Sequence, residues 1–168
     1  MTDTPGLQAR TDGCWLVFGA SGYIGGHLVP RLLAEGRSVR AVARNPAVLE
    51  GRGWTGAELA SADALDPETL PPVLENVDVA YYLVHSMIAQ KKEFAEADRK
   101  AARNMVDAAA SEDLERIIYL GGLAGAQDTA LSKHLQSRIE VADILQAGPV
   151  PTTDLRAPMI LGSGSASF

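Results

Sequence analysis

Cysteine is nearly absent: 168 residues contain one, Cys14, so no internal disulfide can staple the chain and packing must hold it together. The thiol lies in the apolar run "CWLVFG", where it reads as a small buried strand residue rather than a reagent. Aromatic residues are also scarce, at 5%, which leaves a core of aliphatic side chains and alanine. No apolar stretch reaches the roughly 20 residues that a membrane-spanning helix needs. The opening "MTDTPGLQART" has no apolar segment of the kind a secretory signal carries, and the cytoplasm is the expected compartment. Fifteen basic residues face 21 acidic ones, a net charge of -6, with no lysine- or arginine-rich run. That balance argues against nucleic acid or an anionic membrane surface as the main partner. A single pocket for a phosphate stays open, because net charge does not fix one pocket. One cysteine and three scattered histidines give no metal-ligand spacing, so no metal is expected.

What the chain does hold is an alternation of short apolar runs with longer helical patterns. "CWLVFG" reads as a strand buried on both faces. Ile24, Leu28 and Leu32 then recur at four-residue spacing, an amphipathic helix stopping near Gly36. "SVRAVAR" is a second strand, left through a proline turn in "NPAVLEGRGW", and "GAELAS" is a weaker third. "DPETLPPVLENV" reads as a short helix interrupted by Pro71 and Pro72. "VDVAYYLV" is a fourth strand. A long helix follows from Lys91 to Ser111, with Phe94, Ala97, Ala101, Met105 and Ala108 on its packing face. "RIIYLGG" is a fifth strand. Leu131, Leu135, Ile139, Ala142 and Leu145 mark a helix ending at Gly148 and Pro149, and "TTDLRA" is a sixth strand.

Strands alternating with helices predict right-handed βαβ units. The fold class is therefore α/β, a doubly wound parallel sheet of the Rossmann type in three layers, with strand order 3-2-1-4-5-6. Residues 1–12 read as a flexible polar tail, 13–164 as one dinucleotide-binding domain, and 165–168 as a tail where a substrate lobe would begin.

Between the first strand and first helix lies "GASGYIGG", in which Gly19, Gly22 and Gly25 form G-x-x-G-x-x-G. Gly19 suits a tight turn at positive φ. Gly22 admits a bound group close to the backbone, and Gly25 lets the helix approach the sheet. The helix start offers free N–H groups and the positive end of its dipole to a diphosphate. A glycine triplet alone is weak, but this one follows a strand, opens a helix and sits in the first βαβ unit. The reading is a dinucleotide site, with Ser21, Tyr23 and Ile24 of the same loop as further candidate contacts.

The end of the second strand bears on which dinucleotide. A carboxylate there takes the ribose hydroxyls of NAD, whereas this chain has Ala43, Arg44 and Asn45. The Arg44 guanidinium suits a 2'-phosphate, and Ser21 can add a hydroxyl. NADP is expected, with NAD as the alternative; Arg44 as a solvated turn residue is the competing reading.

The stretch "VFGASGYIGGHLVPRLLAEGRSVRAVARNP" resembles the start of the short-chain dehydrogenase/reductase superfamily. The likeness is to its extended and atypical branches, which include NAD(P)-binding proteins similar to the nitrogen-metabolite repressor and the complex I accessory subunit. It runs from about residue 13 to 164. By this resemblance "SADALD" holds adenine through Asp63 and Ala64, and "YYLVHSM" places Val84, His85 and Ser86 beside the cofactor riboses. Active members carry Y-x-x-x-K on the helix after the fifth strand and a hydroxyl residue just before it, the tyrosine exchanging a proton beside the hydride. Here Tyr23, Tyr81, Tyr82 and Tyr119 lack a lysine four residues later. The matching helix has His134 and Arg138, and Gly121 and Gly122 stand where the hydroxyl belongs.

His134 and Arg138 lie one helical turn apart, on one face. They read first as surface or packing residues. The alternatives are His134 as a proton donor and Arg138 as a binding cation that cannot itself deprotonate. His85 and Ser86 follow the fourth strand, where an open sheet presents ligand-facing residues, with a simple loop as the competing reading; His27, inside the first helix, reads as structural. The expected function is an NADP-binding domain of an atypical short-chain dehydrogenase/reductase, of oxidoreductase or nucleotide-sugar epimerase type, with a non-standard acid. The alternative is a non-catalytic redox sensor, assembly factor or partner-binding module. The resemblance implies a small-molecule substrate, with the cleft closed by a further lobe or by a second copy of the chain.

Overall fold

The computed structural model describes residues 13–85, 94–123, 132–158 and 160–164. The two expected tails, 1–12 and 165–168, lie outside the described residues, as do Ser86 and Leu131. Six strands, β1 (Cys14–Phe18), β2 (Ser38–Ala43), β3 (Ala57–Ser61), β4 (Val77–Tyr82), β5 (Arg116–Gly122) and β6 (Thr152–Ala157), form one sheet in the order β3-β2-β1-β4-β5-β6. Every neighbouring pair is parallel, so the expected doubly wound topology is the observed one. The helices are α1 (Tyr23–Ala34), α2 (Ala47–Glu50), α3 (Pro71–Leu74), α4 (Phe94–Ala109) and α5 (Lys133–Gln146), with a 3₁₀ turn at Pro67–Thr69.

Two apolar clusters on opposite faces of the sheet make the three layers. One joins Val29 and Leu32 of α1 and Leu49 of α2 to Val17, Val39 and Ala41 of the strands. The other joins Ala101, Ala102 and Met105 of α4 and Val141, Ala142 and Leu145 of α5 to Leu16, Phe18, Ala80, Tyr82, Ile117 and Tyr119. Among the described residues no helix is long and apolar enough to cross a membrane.

Several local expectations need correction. The buried face of α1 is Gly25, Val29 and Leu32, so Leu32 of the expected stripe is buried while Gly25 and Val29 take the places drawn for Ile24 and Leu28. The small Gly25 faces the sheet and frees Ile24 to face the cleft. In α5 the buried residues are Ser137, Val141, Ala142 and Leu145, while Leu135 and Ile139 are only half-buried. A polar residue at the centre of a packing face is invisible to an apolar-period reading. The prolines at 71 and 72 open α3 rather than interrupt it, because a first-turn proline gives up an N–H that has no intrahelical acceptor. Pro46 likewise begins the one-turn helix α2 rather than a simple turn. Cys14 is half-buried, and burial raises its thiol pKa, in keeping with an unreactive strand residue.

The stop of α1 near Gly36 is observed in detail. Gly36 has φ +74°; its N–H donates to the Leu33 carbonyl at 3.0 Å and that of Arg37 to Leu32 at 3.0 Å. This paired pattern satisfies the last carbonyls and needs the left-handed residue that glycine provides.

Candidate dinucleotide site

β1 lies between β2 and β4: Phe18 pairs with Val42 on one side and Tyr82 on the other. The connections run to opposite faces from this point, so a crevice opens beyond the carboxyl ends of β1 and β4. The glycine loop fills its floor. Gly19 has φ +95°, and a Cβ there would meet the Leu83 carbonyl oxygen at 3.0 Å. The N–H groups of Gly19 and Ala20 both donate to the Val42 carbonyl, at 3.0 and 3.1 Å, which locks the turn onto β2. A Cβ on Gly25 would stand 2.6 Å from Ala20 Cα and 2.6 Å from the Gly19 oxygen; this contact is with backbone and cannot yield.

Gly22 is the N-cap of α1 and supplies no side-chain acceptor. The first N–H groups of the helix, those of Tyr23, Ile24 and Gly25, have no intrahelical acceptor, and these three residues line the crevice. These are the features a diphosphate needs: close backbone approach, bare amides and the positive dipole end. The residues present fit a dinucleotide.

A cavity of about 700 Å³ extends from this loop beneath the ends of β4, β5 and β6. Gly19, Gly22, Tyr23, Ile24 and Gly25 line one wall; Val84 and His85 line the next; Tyr119, His134 and Arg138 line the far side with Leu135. The fold thus gathers most of the expected residues into one space. Arg138 is fixed there: its Nη2 donates to the Leu120 carbonyl, its guanidinium lies 5.8 Å from the Tyr119 ring centroid, and its carbonyl accepts from the Tyr119 hydroxyl at 3.3 Å. His134 is exposed at the rim.

The electrostatics follow from this packing. His85 keeps a solvent-facing side, yet its pKa is pushed below the ordinary value, first by the protein that crowds the ring and then by the charges of Arg138 and His134. Tyr119 is pushed up to about 12; burial is the first cause, Arg138 opposes it, and Asp98 and Asp154 add to it. A phenol so buried stays protonated at neutral pH and acts as a donor.

Gly121 and Gly122 have a packing reason. A Cβ on Gly122 would stand 2.5 Å from Leu135 Cδ1, and one on Gly121 would collide with the Asp154 carboxylate. Asp154 is held in turn by Arg156, Nε to Oδ2 at 2.7 Å. A side chain at either position has to displace a neighbour.

The remaining expected residues do not line this cavity: Ser21 lies in the glycine loop, and Arg44, Asp63 and Ala64 follow β2 and β3. Arg44 and Ser21 are exposed. The Asp63 carboxylate accepts from the Leu65 N–H at 3.0 Å. Ala64 is buried, 3% exposed, and its carbonyl accepts from Asn104 Nδ2 at 2.8 Å. Ser86 lies outside the described residues.

Three features escaped the sequence reading. Tyr119 is set aside by the sequence because no lysine follows it by four residues, and only the packing brings it to the cavity beside Arg138. Arg52, in the loop after α2, donates from Nη2 to the Ser21 carbonyl at 3.0 Å, a contact made across 31 residues that no local pattern signals. Ser137 donates to Asp98 Oδ2 at 3.0 Å between α5 and α4, with both residues buried.

Comparison with known proteins agrees with this geometry. The model of a family described as NAD(P)H-binding matches residues 19–155. Cinnamoyl-CoA reductase 2 of Arabidopsis thaliana is 31% identical over 114 residues, 64% of this chain and 34% of that protein. Photosystem II assembly factor Ycf39 of Cyanophora paradoxa is 31% identical over 104 residues, 62% of this chain and 32% of that protein. The chain therefore spans about a third of the curated relatives it matches. Among solved structures, the triphenylmethane reductase of Citrobacter sp. complexed with NADP(H) superposes with a TM-score of 0.68 at 21% identity, covering 85% of this chain and 48% of that one. A likeness at that identity is one of fold.

Proposed function

This chain belongs to the NAD(P)H-binding family, and from that premise we propose that it is the NADP(H)-binding domain of an atypical reductase or epimerase of the short-chain dehydrogenase/reductase type. The observation that carries the reading is the glycine loop, whose uncapped helix start opens at the β1–β4 crevice onto a cavity walled by His85, Tyr119, His134 and Arg138. The loop amides hold the diphosphate, and Val84 and His85 flank the ribose on the nicotinamide side. Arg44, at the end of β2, takes the 2'-phosphate, where a carboxylate would repel it. Asp63 and Ala64 border the adenine. When bound, the nicotinamide supplies or accepts a hydride. His134 gives or takes the accompanying proton at a substrate oxygen, and Arg138, fixed to the Leu120 carbonyl, orients that oxygen without exchanging protons itself.

Two measurements test this. Calorimetry with Arg44→Ala is expected to show a far larger loss of affinity for NADPH than for NADH; equal losses defeat the cofactor assignment. Cofactor oxidation is then followed across a panel of carbonyl substrates. His134→Ala is expected to abolish turnover while leaving NADPH affinity in place, and turnover that survives removes His134 from the mechanism.

A second reading, a non-catalytic dinucleotide-binding module that senses redox state or binds a partner, draws on two observations. A side chain at Gly122 would have to displace the end of the Leu135 side chain, so an apolar group packs where the usual hydroxyl is expected. One of the relatives is an assembly factor. Tight NADPH binding with no turnover across the panel supports this reading.

A further inference from the structure

The cavity beyond the strand ends differs in charge from the molecule around it. The chain carries 21 acidic residues and a net charge of -6, yet among the described residues no aspartate or glutamate lines this space. Its ionisable side chains are Tyr23, His85, Tyr119, His134 and Arg138, so Arg138 sets the sign of its charge. The rest of the far wall is hydrocarbon, from Leu120, Leu123, Leu135, Pro158 and Ile160. A lone cation in an apolar wall is the pattern of a site that orients a small organic ligand by one polar group.

Arg138 is held in place there. Its Nη2 donates to the Leu120 carbonyl, and its stem crosses the bare backbone of Gly122, where a Cβ would stand 3.4 Å from Cδ and 3.7 Å from Nε. Among the described residues no carboxylate lies within ion-pair distance of it. A guanidinium has five N–H donors in a planar fork, so the bond to Leu120 leaves most of them for a ligand. The fork matches a carboxylate with two parallel bonds, and a side chain already fixed loses less freedom when it grips one. One guanidinium balances one negative charge, which suits a carboxylate better than a phosphate dianion. His134 stands one helical turn away, with Cβ atoms roughly 5–6 Å apart, so one small ligand can reach both side chains.

We propose that the substrate is an apolar oxo acid: Arg138 grips its carboxylate, its carbonyl oxygen faces His134, and its hydrocarbon body lies on the far wall. This inference rests on the reductase reading above and narrows its substrate class. Arg138 then orients the reacting oxygen by holding the carboxylate beside it, and the apolar wall selects acids with a branched or aromatic body over the smallest ones.

The test is calorimetry on the full chain saturated with NADP⁺, the oxidised form, so that binding is read without reduction of the ligand. The probes are pyruvate, 4-methyl-2-oxopentanoate and phenylpyruvate, with the uncharged methyl esters of the last two. In the parent the two larger acids are expected to bind at least about tenfold more tightly than their esters, the worth of a charge-assisted contact, and more tightly than pyruvate. This comparison needs no variant. Arg138→Gln is expected to weaken the acids at least about tenfold and to leave the esters within about twofold of the parent. Arg138→Lys, which keeps the charge and loses the fork, is expected to fall between. Equal affinity for acid and ester in the parent would overturn the proposal, as would no binding of any acid. Equal losses for acids and esters in Arg138→Gln would mean that Arg138 only braces the wall, and would overturn it too. If NADP⁺ itself does not bind, the dinucleotide reading fails and this inference fails with it. If NADP⁺ binds and the preference for acids is missing, this inference alone fails.

Discussion

At Gly25 a single hydrogen atom in place of a methyl group sets how closely α1 approaches β1. The methyl would sit 2.6 Å from two backbone atoms of the glycine loop, and neither can rotate away. Gly25→Ala is therefore expected to destabilise the fold by about 1–3 kcal/mol, the usual range for overpacking, read as a lower urea midpoint. Dinucleotide affinity should fall with it, because the loop and the helix start shift together. His85 gives a second test at this scale. Crowding, then Arg138 and His134, hold its pKa below 6.5, so the fold favours the neutral ring. Its contribution to stability is complete above the unfolded value near 6.5 and is lost as pH falls through the lower folded value. An imidazole NMR titration should place the His85 midpoint below 6.5 and move it upward in Arg138→Gln; a midpoint at or above 6.5 in the parent would contradict the packing described.

Among the elements, α4 and α5 are the informative pair. Their interface is mostly alanine and aliphatic side chains, but at its centre the Ser137 hydroxyl donates to the Asp98 carboxylate. Asp98 is 7% exposed and Ser137 1%, and the same carboxylate raises the pKa values of Tyr82 and Tyr119. Ser137→Ala removes one hydrogen bond from a buried charge, which costs about 1–3 kcal/mol. Chemical denaturation should register that loss, and a stability equal to the parent's would show that the pair is energetically neutral. The apolar spacing of α5 suggests Leu135, Ile139, Ala142 and Leu145 as the packing face. Ala142 and Leu145 are buried as expected, but Leu135 and Ile139 are only half-buried, because the start of the face is built around a satisfied polar pair that carries no hydrophobic signal. The small-residue face of α4 was legible, because alanine at helical spacing admits only close packing.

For the whole molecule, the cleft and the fold are linked by ligand binding. A dinucleotide that binds only the folded chain stabilises it by about 2.7 kcal/mol at a concentration a hundred times its Kd. For a chain of this size that is a rise in Tm of roughly 5–10 °C. Thermal unfolding with NADPH at that excess should show the rise, with a smaller one for NADH at equal concentration. No shift with either would sink the dinucleotide site, since the bare amides of α1 are its foundation.

The sequence by itself determined the sheet order, the glycine loop and the stops of the helices. The loop and the stops depend on neighbours close in the chain, a turn that needs positive φ and a cap that needs glycine, while the order follows from the connection rules that alternating strands and helices obey. The tertiary structure alone decided which side chains meet. It set Gly25 and Val29 in the packing face of α1, closed Gly121 and Gly122 against Asp154 and Leu135, drew Tyr119 and Arg138 together across two elements, and carried Arg52 back to Ser21. Those contacts join residues on different elements, where periodicity and spacing have no reach and only the packing of helices on the sheet sets the distance.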